Sequence, residues 1–389
     1  TTLTEKLLLY GGAIREAGAV RARRAARHAT SDWLELERQR GISVSSSVMT
    51  FEYDGYRVNI LDTPGHHDFS EDTYRTLTAA DSAVMLIDAA KGVEPQTRKL
   101  FEVCRMRGIP IFTYVNKMDR EGRDPLELMG EIEEVLGIHA TPVNWPVGSG
   151  RDFRGVYDRI DRRLLLFSGG EHGSERVDEV AIDGAPDDPA VLDGLGDLAD
   201  DVHDALDLLD GAGERLDLEK VRAGELTPMF FGSALTNFGI RPFLHSFLHM
   251  ARPPQARPSS TGPVDPVRPF SGFVFKIMAN MDPDHRDRVA FVRVCSGRFE
   301  KGSQTTHVPT GKKIRLSNST LLMAQDRQQV EEAYPGDVIG LFDPGVFRIG
   351  DTLSDEGGLE YDGIPSFSPE HLAKVAVAQE QRRKQHQNG

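Results

Sequence analysis

Cysteine is almost missing from the 389 residues: only Cys104 and Cys295 occur, far apart and without the spacing of metal ligands. That excludes a disulfide framework and a thiolate zinc module, and leaves reduced thiols of a cytoplasmic protein as the expectation. Long apolar runs are absent too. No stretch approaches the roughly 18 residues a bilayer crossing needs, and nothing reads as a signal peptide, so no membrane partner is expected. Positive charge is in deficit, with 46 Lys and Arg against 60 Asp and Glu, a formal net charge of −14. A basic coat for nucleic acid is thereby excluded, although local patches can still dock on a ribonucleoprotein. One such patch is "VRARRAARH" (20–28), whose bland reading is a solvated or mobile segment. An initiator Met is also lacking. The chain opens on "TTLTEKLLLYGG", which reads as a piece of something longer.

What is present describes an ordinary globular protein, 39% hydrophobic and 27% charged, long enough for two domains. Four short apolar runs read as buried strands: "YRVNILD" (56–62), "SAVMLIDA" (82–89), "IPIFTYVN" (109–116) and "TPMFFGSA" (227–234). Between them, "FSEDTYRTLTAAD" and "PQTRKLFEVCRMRG" carry helical spacing. Strands alternating with helices predict a parallel sheet covered on both faces. In such sheets ligands bind beyond the carboxyl ends of the strands, and all four runs end in polar or small-residue clusters. Residues 146–225 are acidic and read as a partly helical insertion. Residues 251–269 hold six prolines and read as a semi-rigid linker. From 270 to 372, alternating β-rich pieces with Gly turns predict a small antiparallel barrel, and 373–389 reads as a frayed or truncated tail.

The clusters carry chemistry. "NKMD" follows an apolar strand, so Asn116, Lys117 and Asp119 fall at the ligand-binding edge. A carboxylate there can accept two hydrogen bonds from the amidine-like edge that guanine presents and adenine does not. The stem of Lys117 can lie across the base. In "DTPGH", Asp62 at a strand end suits a water-bridged magnesium ion, and Gly65 lets its amide approach a terminal phosphate. His66 can orient the attacking water. His67 has no comparable argument. Ser43, just after a Gly in "ERQRGISVSSSV", can add a hydroxyl to the magnesium shell from a loop that orders with a third phosphate. Thr1 opens a helix, and helix starts attract anions. It can be the last hydroxyl of a G-x-x-x-x-G-K-[ST] loop, the rest lying upstream. On these residues alone, a capped helix, a strand start and ordinary polar turns remain open readings.

"RGIS", "DTPGH", "NKMD" and "GSAL", in this order and followed by a β-barrel, resemble the translational GTPases. Within them, the longer strings "SDWLELERQRGISVSSSVM", "DFSEDTYRTLTAADSAVMLIDAAKGVE" and "ANMDPDHRDRVAFVRVCSGRFEKG" are similar to the bacterial class II peptide chain release factors. The resemblance covers residues 1 to about 372. It implies a phosphate-loop GTPase domain (1–250) with a mostly parallel sheet, then the antiparallel barrel, with a further domain expected downstream and the first strand upstream. It implies GTP or GDP with Mg2+ as the bound groups. Nucleotide contacts would come from Thr1 and Thr2, from Asp62, Thr63, Pro64, Gly65 and His66, from Asn116, Lys117, Met118 and Asp119, and from Ser233, Ala234 and Leu235. Ser233 and Ala234 would close over the base mainly through backbone amides. Thr1, Ser43 and Asp62 would serve the metal, and His66 the hydrolysis. The partners implied are the ribosome, both rRNA and ribosomal proteins, and class I release factors, with a monomer off the ribosome. Rival expectations are an elongation factor G-like or ribosomal protection GTPase, and a hydrolysis-deficient ribosome-binding paralogue.

Overall fold

The computed structural model describes residues 1–14, 46–65, 70–168, 175–279, 288–316, 319–323 and 326–362. Ser43, His66, His67, the "VRARRAARH" patch and the tail beyond 362 lie outside the described residues. The chain divides into two compact units, the first Thr1–Gln255 with Leu322–Gln328 and the second built on Ala256–Leu321 and the residues from Gln329.

The first unit runs α1 (Thr2–Tyr10), β1 (Ser47–Tyr53), β2 (Tyr56–Asp62), α2 (Ser70–Leu77), β3 (Ala83–Asp88), α3 (Pro95–Met106), β4 (Ile111–Asn116) and α4 (Pro125–Leu136). It continues β5 (His139–Pro142), β6 (Asn144–Val147), β7 (Gly155–Asp158), β8 (Arg163–Ser168), β9 (Asp178–Asp183), α5 (Pro189–Leu195), α6 (Ala199–Ala212), α7 (Leu218–Ala223), β10 (Leu226–Phe231) and α8 (Ile240–Met250). Strands β3-β4-β10-β5 form a wholly parallel sheet in that order. Three of the four apolar runs therefore lie side by side with their carboxyl ends at one edge. Asp88 pairs with Asn116, and Val115 with Phe231.

The fourth run, β2, pairs with β1 in an antiparallel hairpin. The cause is the dipeptide Asp54-Gly55, with φ of 50° and 78°. Two residues at positive φ make the tight turn whose twist matches paired antiparallel strands. β2 is not a buried strand: Tyr56 and Arg57 are exposed and the rest of it is half-buried.

Both faces of the parallel sheet are covered. One packs α1, the hairpin and α8 around Phe112, Tyr114 and Phe230. Phe243 of α8 meets Tyr114 and Phe230 edge-on, with ring centroids 4.9 and 5.0 Å apart. The other face packs α3, α4 and α6 around Ile87, Val115 and Phe231. α4 illustrates how the sequence writes such a helix. Asp124 caps it by accepting from the Leu126 and Glu127 amides, Pro125 sits at the first helical position, and Gly137 stops it at φ 65°. Leu128, Ile132 and Leu136, four residues apart, are the buried stripe. One edge of the sheet is β3, where Leu86 remains 43% exposed in mid-strand.

The acidic insertion holds more strand than its composition suggested. β6-β7-β8-β9 make an antiparallel sheet, and only then do α5, α6 and α7 follow. Val147, Val156 and Leu164 give this sheet a buried side, while β9 is largely exposed, so acidic residues dominate the count without dominating the core.

From residue 271 the strands are β11 (Ser271–Ala279), β12 (Arg288–Ser296), β13 (Phe299–Glu300), β14 (Gln304–His307), β15 (Lys312–Arg315), β16 (Ser319–Met323), β17 (Asp326–Gln329), β18 (Glu332–Ala333), β19 (Val338–Phe342) and β20 (Thr352–Ser354). The main sheet, ordered β15-β14-β20-β11-β12-β19-β16-β17, is the curled antiparallel sheet of a half-barrel. The proline-rich stretch is not a free linker throughout. Arg257 and Val264 exchange backbone hydrogen bonds, Val264 is fully buried, and the Arg257 guanidinium lies 4.8 Å from the Phe273 ring. Proline denies this stretch a helix, but the apolar and cationic residues between the prolines still dock on the sheet.

Candidate functional site

The edge where β3, β4 and β10 end is built by backbone turns that the sequence encodes. After Asn116 the chain reverses sharply, with Lys117 at φ 72°, so a non-glycine residue accepts left-handed backbone. The Asn116 side chain holds this turn: its Oδ1 accepts the Lys117 amide at 2.8 Å and the Ala234 amide at 2.9 Å. It thereby ties the "NKMD" loop to the "GSAL" loop. A second tie lies beside it, where the Ser233 hydroxyl donates to Asp119 Oδ1 at 2.6 Å. Met118 is buried, and its amide donates to the Gly232 carbonyl.

Ser233 and Ala234 thus lie beside Asp119 and Asn116. The Ser233 amide donates to the Phe238 carbonyl and the Ala234 amide to Asn116, so both are engaged inside the protein. Leu235 is exposed. Gly232 is required by crowding: a Cβ there would sit 2.2 Å from the Tyr114 hydroxyl.

Sequence reasoning missed Asp88. Its carboxylate receives Lys117 Nζ at 2.5 Å and the Ala90 amide at 3.0 Å. Burial alone would raise the Asp88 carboxyl; the Lys117 and Ala90 hydrogen bonds outweigh it and hold it below the usual range. The signal was available, since the run ending at Asp88 and the run ending at Asn116 are neighbours of similar length. Arg176 and Asn237 were missed as well. Arg176 donates to the Leu9 and Tyr10 carbonyls at the end of α1, and Asn237 Nδ2 donates to the Glu175 carbonyl at 2.5 Å. Nothing in their local sequence marks them.

A second cluster gathers at the start of α1. The Thr1 nitrogen lies 3.3 Å from Asp62 Oδ1, and both side chains are nearly buried. Thr2 is half-buried there and Thr63 follows; Pro64 is buried and its carbonyl accepts the Thr73 hydroxyl at 3.4 Å. Gly65 is exposed, with open space around its Cα. The far end of α1 connects through Arg176 and Asn237 to the "GSAL" loop. α1 itself is nine residues long, about 13 Å along its axis. Asp62 and Thr1 offer hard oxygen donors, the kind that suits Mg2+ rather than a thiolate-seeking metal.

Residues 1–253 match the elongation factor Tu GTP binding domain, and residues 269–356 match elongation factor G domain 2. Peptide chain release factor 3 of Symbiobacterium thermophilum is 61% identical over the whole chain, which covers 74% of that relative. The protein of the same name from Microcystis aeruginosa is 60% identical, again over the whole chain and 72% of its own length. A crystal structure of a Thermus thermophilus protein superposes with a TM-score of 0.71 at 25% identity, over 97% of this chain and 54% of that one. With full-chain identity near three fifths to proteins of that name, and a G domain followed by the second domain of the translation factors, the chain belongs to the peptide chain release factor 3 family of GTP-hydrolysing translation factors.

Proposed function

We propose that this chain carries the nucleotide site of a termination GTPase that acts on the ribosome in the cytoplasm and promotes release of class I release factors after peptide release. GTP binding would drive that dissociation, and hydrolysis would let the GTPase itself leave, as a monomer. The observation that carries the reading is the double tie of Asn116 to Ala234 and Asp119 to Ser233 at the carboxyl edge of the parallel sheet. Two loops 118 residues apart in sequence are locked together there around a carboxylate and an amide, the groups that read a guanine edge. Asp119 receives the N–H donors of the base, and Lys117 covers its face.

At the other cluster, Thr1 and Asp62 would hold Mg2+, with Ser43 as a further hydroxyl donor. The ion, when bound, neutralises charge on the terminal phosphates. Asp62 would reach it through water, while Gly65 leaves room for a phosphate beside its amide. His66 would position the hydrolytic water, slowly until the ribosome orders its loop, since phosphoryl transfer depends on positioning and electrostatics.

Two substitutions in the full-length gene product test this. Asp119→Ala removes two charge-assisted hydrogen bonds to the base, each about 1.5–3 kcal/mol, so GDP affinity should fall about 10²- to 10⁴-fold. His66→Ala should bind GDP normally and lose ribosome-stimulated turnover. Unchanged GDP affinity in the first variant rejects the base site; normal stimulated turnover in the second rejects the role of His66.

A further inference from the structure

Away from this edge, the tip of the β1–β2 hairpin meets the outer face of α8. Asp54, His245 and His249 come together there, all exposed, with one ligand atom of each within 4.8 Å of the others. His245 and His249 are four residues apart on α8, hence on one face of the helix. Asp54 is held opposite them by its left-handed turn with Gly55.

The details are those of a ligand set. His249 Nδ1 donates to the His245 carbonyl at 2.8 Å, which fixes the ring and leaves the Nε2 lone pair outward. His245 Nδ1 and Asp54 Oδ2 are 3.5 Å apart. Two ligands on a tetrahedral zinc ion, each about 2.0–2.1 Å from the metal, lie about 3.3 Å from each other, so this pair already stands at ligand spacing, with His249 within 4.8 Å of both. Tyr56 packs edge-on against His249 at 5.9 Å and further limits that ring. Two imidazoles and one carboxylate suit Zn2+ or a neighbouring transition ion, not Mg2+ or Ca2+, which prefer oxygen alone.

We infer that Asp54, His245 and His249 form a surface site for a Zn2+-class divalent cation, with a water completing the shell. The ion clips the hairpin to α8. Because β2 runs from this tip directly to Asp62, a loaded site restrains the strand that delivers Asp62 to the nucleotide.

The test is Zn2+ titration of the 389-residue chain by calorimetry, with Co2+ absorption as a second readout. Both thiols are buried and compete poorly. The parent should take up one equivalent saturably at this site. His245→Ala and His249→Ala should each weaken uptake by about tenfold or more, as ligand-shell losses do, and Asp54→Asn, which keeps the turn, should weaken it as well. His139→Ala, an exposed histidine elsewhere, should leave it unchanged. Circular dichroism melts of the metal-free variants should match the parent, since all three side chains are on the surface. Failure of the parent to bind saturably overturns the site. So does Zn2+ uptake by the His245→Ala/His249→Ala double variant with parental affinity.

Discussion

Replacing Asn116 with Ala tests whether one side chain organises the "NKMD" and "GSAL" loops. In the structure its Oδ1 accepts two backbone amides, from Lys117 and Ala234. Ala removes both bonds at once and leaves two partly buried N–H groups without their acceptor. Each orphaned amide costs about 1–3 kcal/mol, the low end applying because the site is half-buried, so the sum is about 2–3 kcal/mol. For a unit of this size that lowers the melting temperature by roughly 5–10 °C. Asn116→Asp keeps an acceptor oxygen in place and should recover most of that loss. The assay is tryptophan fluorescence during thermal unfolding without nucleotide. Trp145 reports on the right region, since it packs 5.4 Å from Phe231 on the strand that leads into the "GSAL" loop. If the Ala variant melts within about 1 °C of the parent, the tie contributes nothing and the argument for it fails.

Gly232→Ala should destabilise the first unit by about 1–3 kcal/mol, because the added methyl meets the Tyr114 hydroxyl and the Phe238 carbonyl; fluorescence melts report it, and an unshifted melt would mean the loop yields freely. Asp88 has a carboxyl held below its ordinary value in the folded state, so its contribution to stability is present above about pH 4 and is lost as pH falls through the folded value. Asp88→Asn should therefore flatten part of the acid limb of a urea-midpoint against pH curve, and an identical limb in both proteins would remove this carboxyl from the account. Burial pushes the Cys104 thiol up to about 12, so it should resist alkylation at about pH 8 in the folded chain and react once urea unfolds it; rapid labelling of native protein would contradict its packing.

How far the sequence could be read depended on the range of the interactions. "IPIFTYVN" announced β4 because a strand buried on both faces needs nothing but apolar side chains, and "NKMD" after it announced a polar edge. The hairpin was equally local, written in Asp54-Gly55, yet reading 56–62 as an apolar run concealed it, although Arg57 and Asn59 break that run with the alternation of a half-buried antiparallel strand. The sheet β6–β9 was masked by the acidic helices that follow it. Asp119 with Ser233 was legible as two motifs, but not as a hydrogen bond, because 114 residues separate them and only the fold closes that distance. Arg176 binding the end of α1 is wholly a product of tertiary structure, 167 residues from its acceptor.

The outer edge of β3 has a material consequence. Its other edge is hydrogen-bonded to β4, and Leu86 is left 43% exposed in a strand reading Ala-Val-Met-Leu-Ile-Asp. Among the described residues that apolar rim pairs with no other strand, so its backbone amides and carbonyls are placed to receive one.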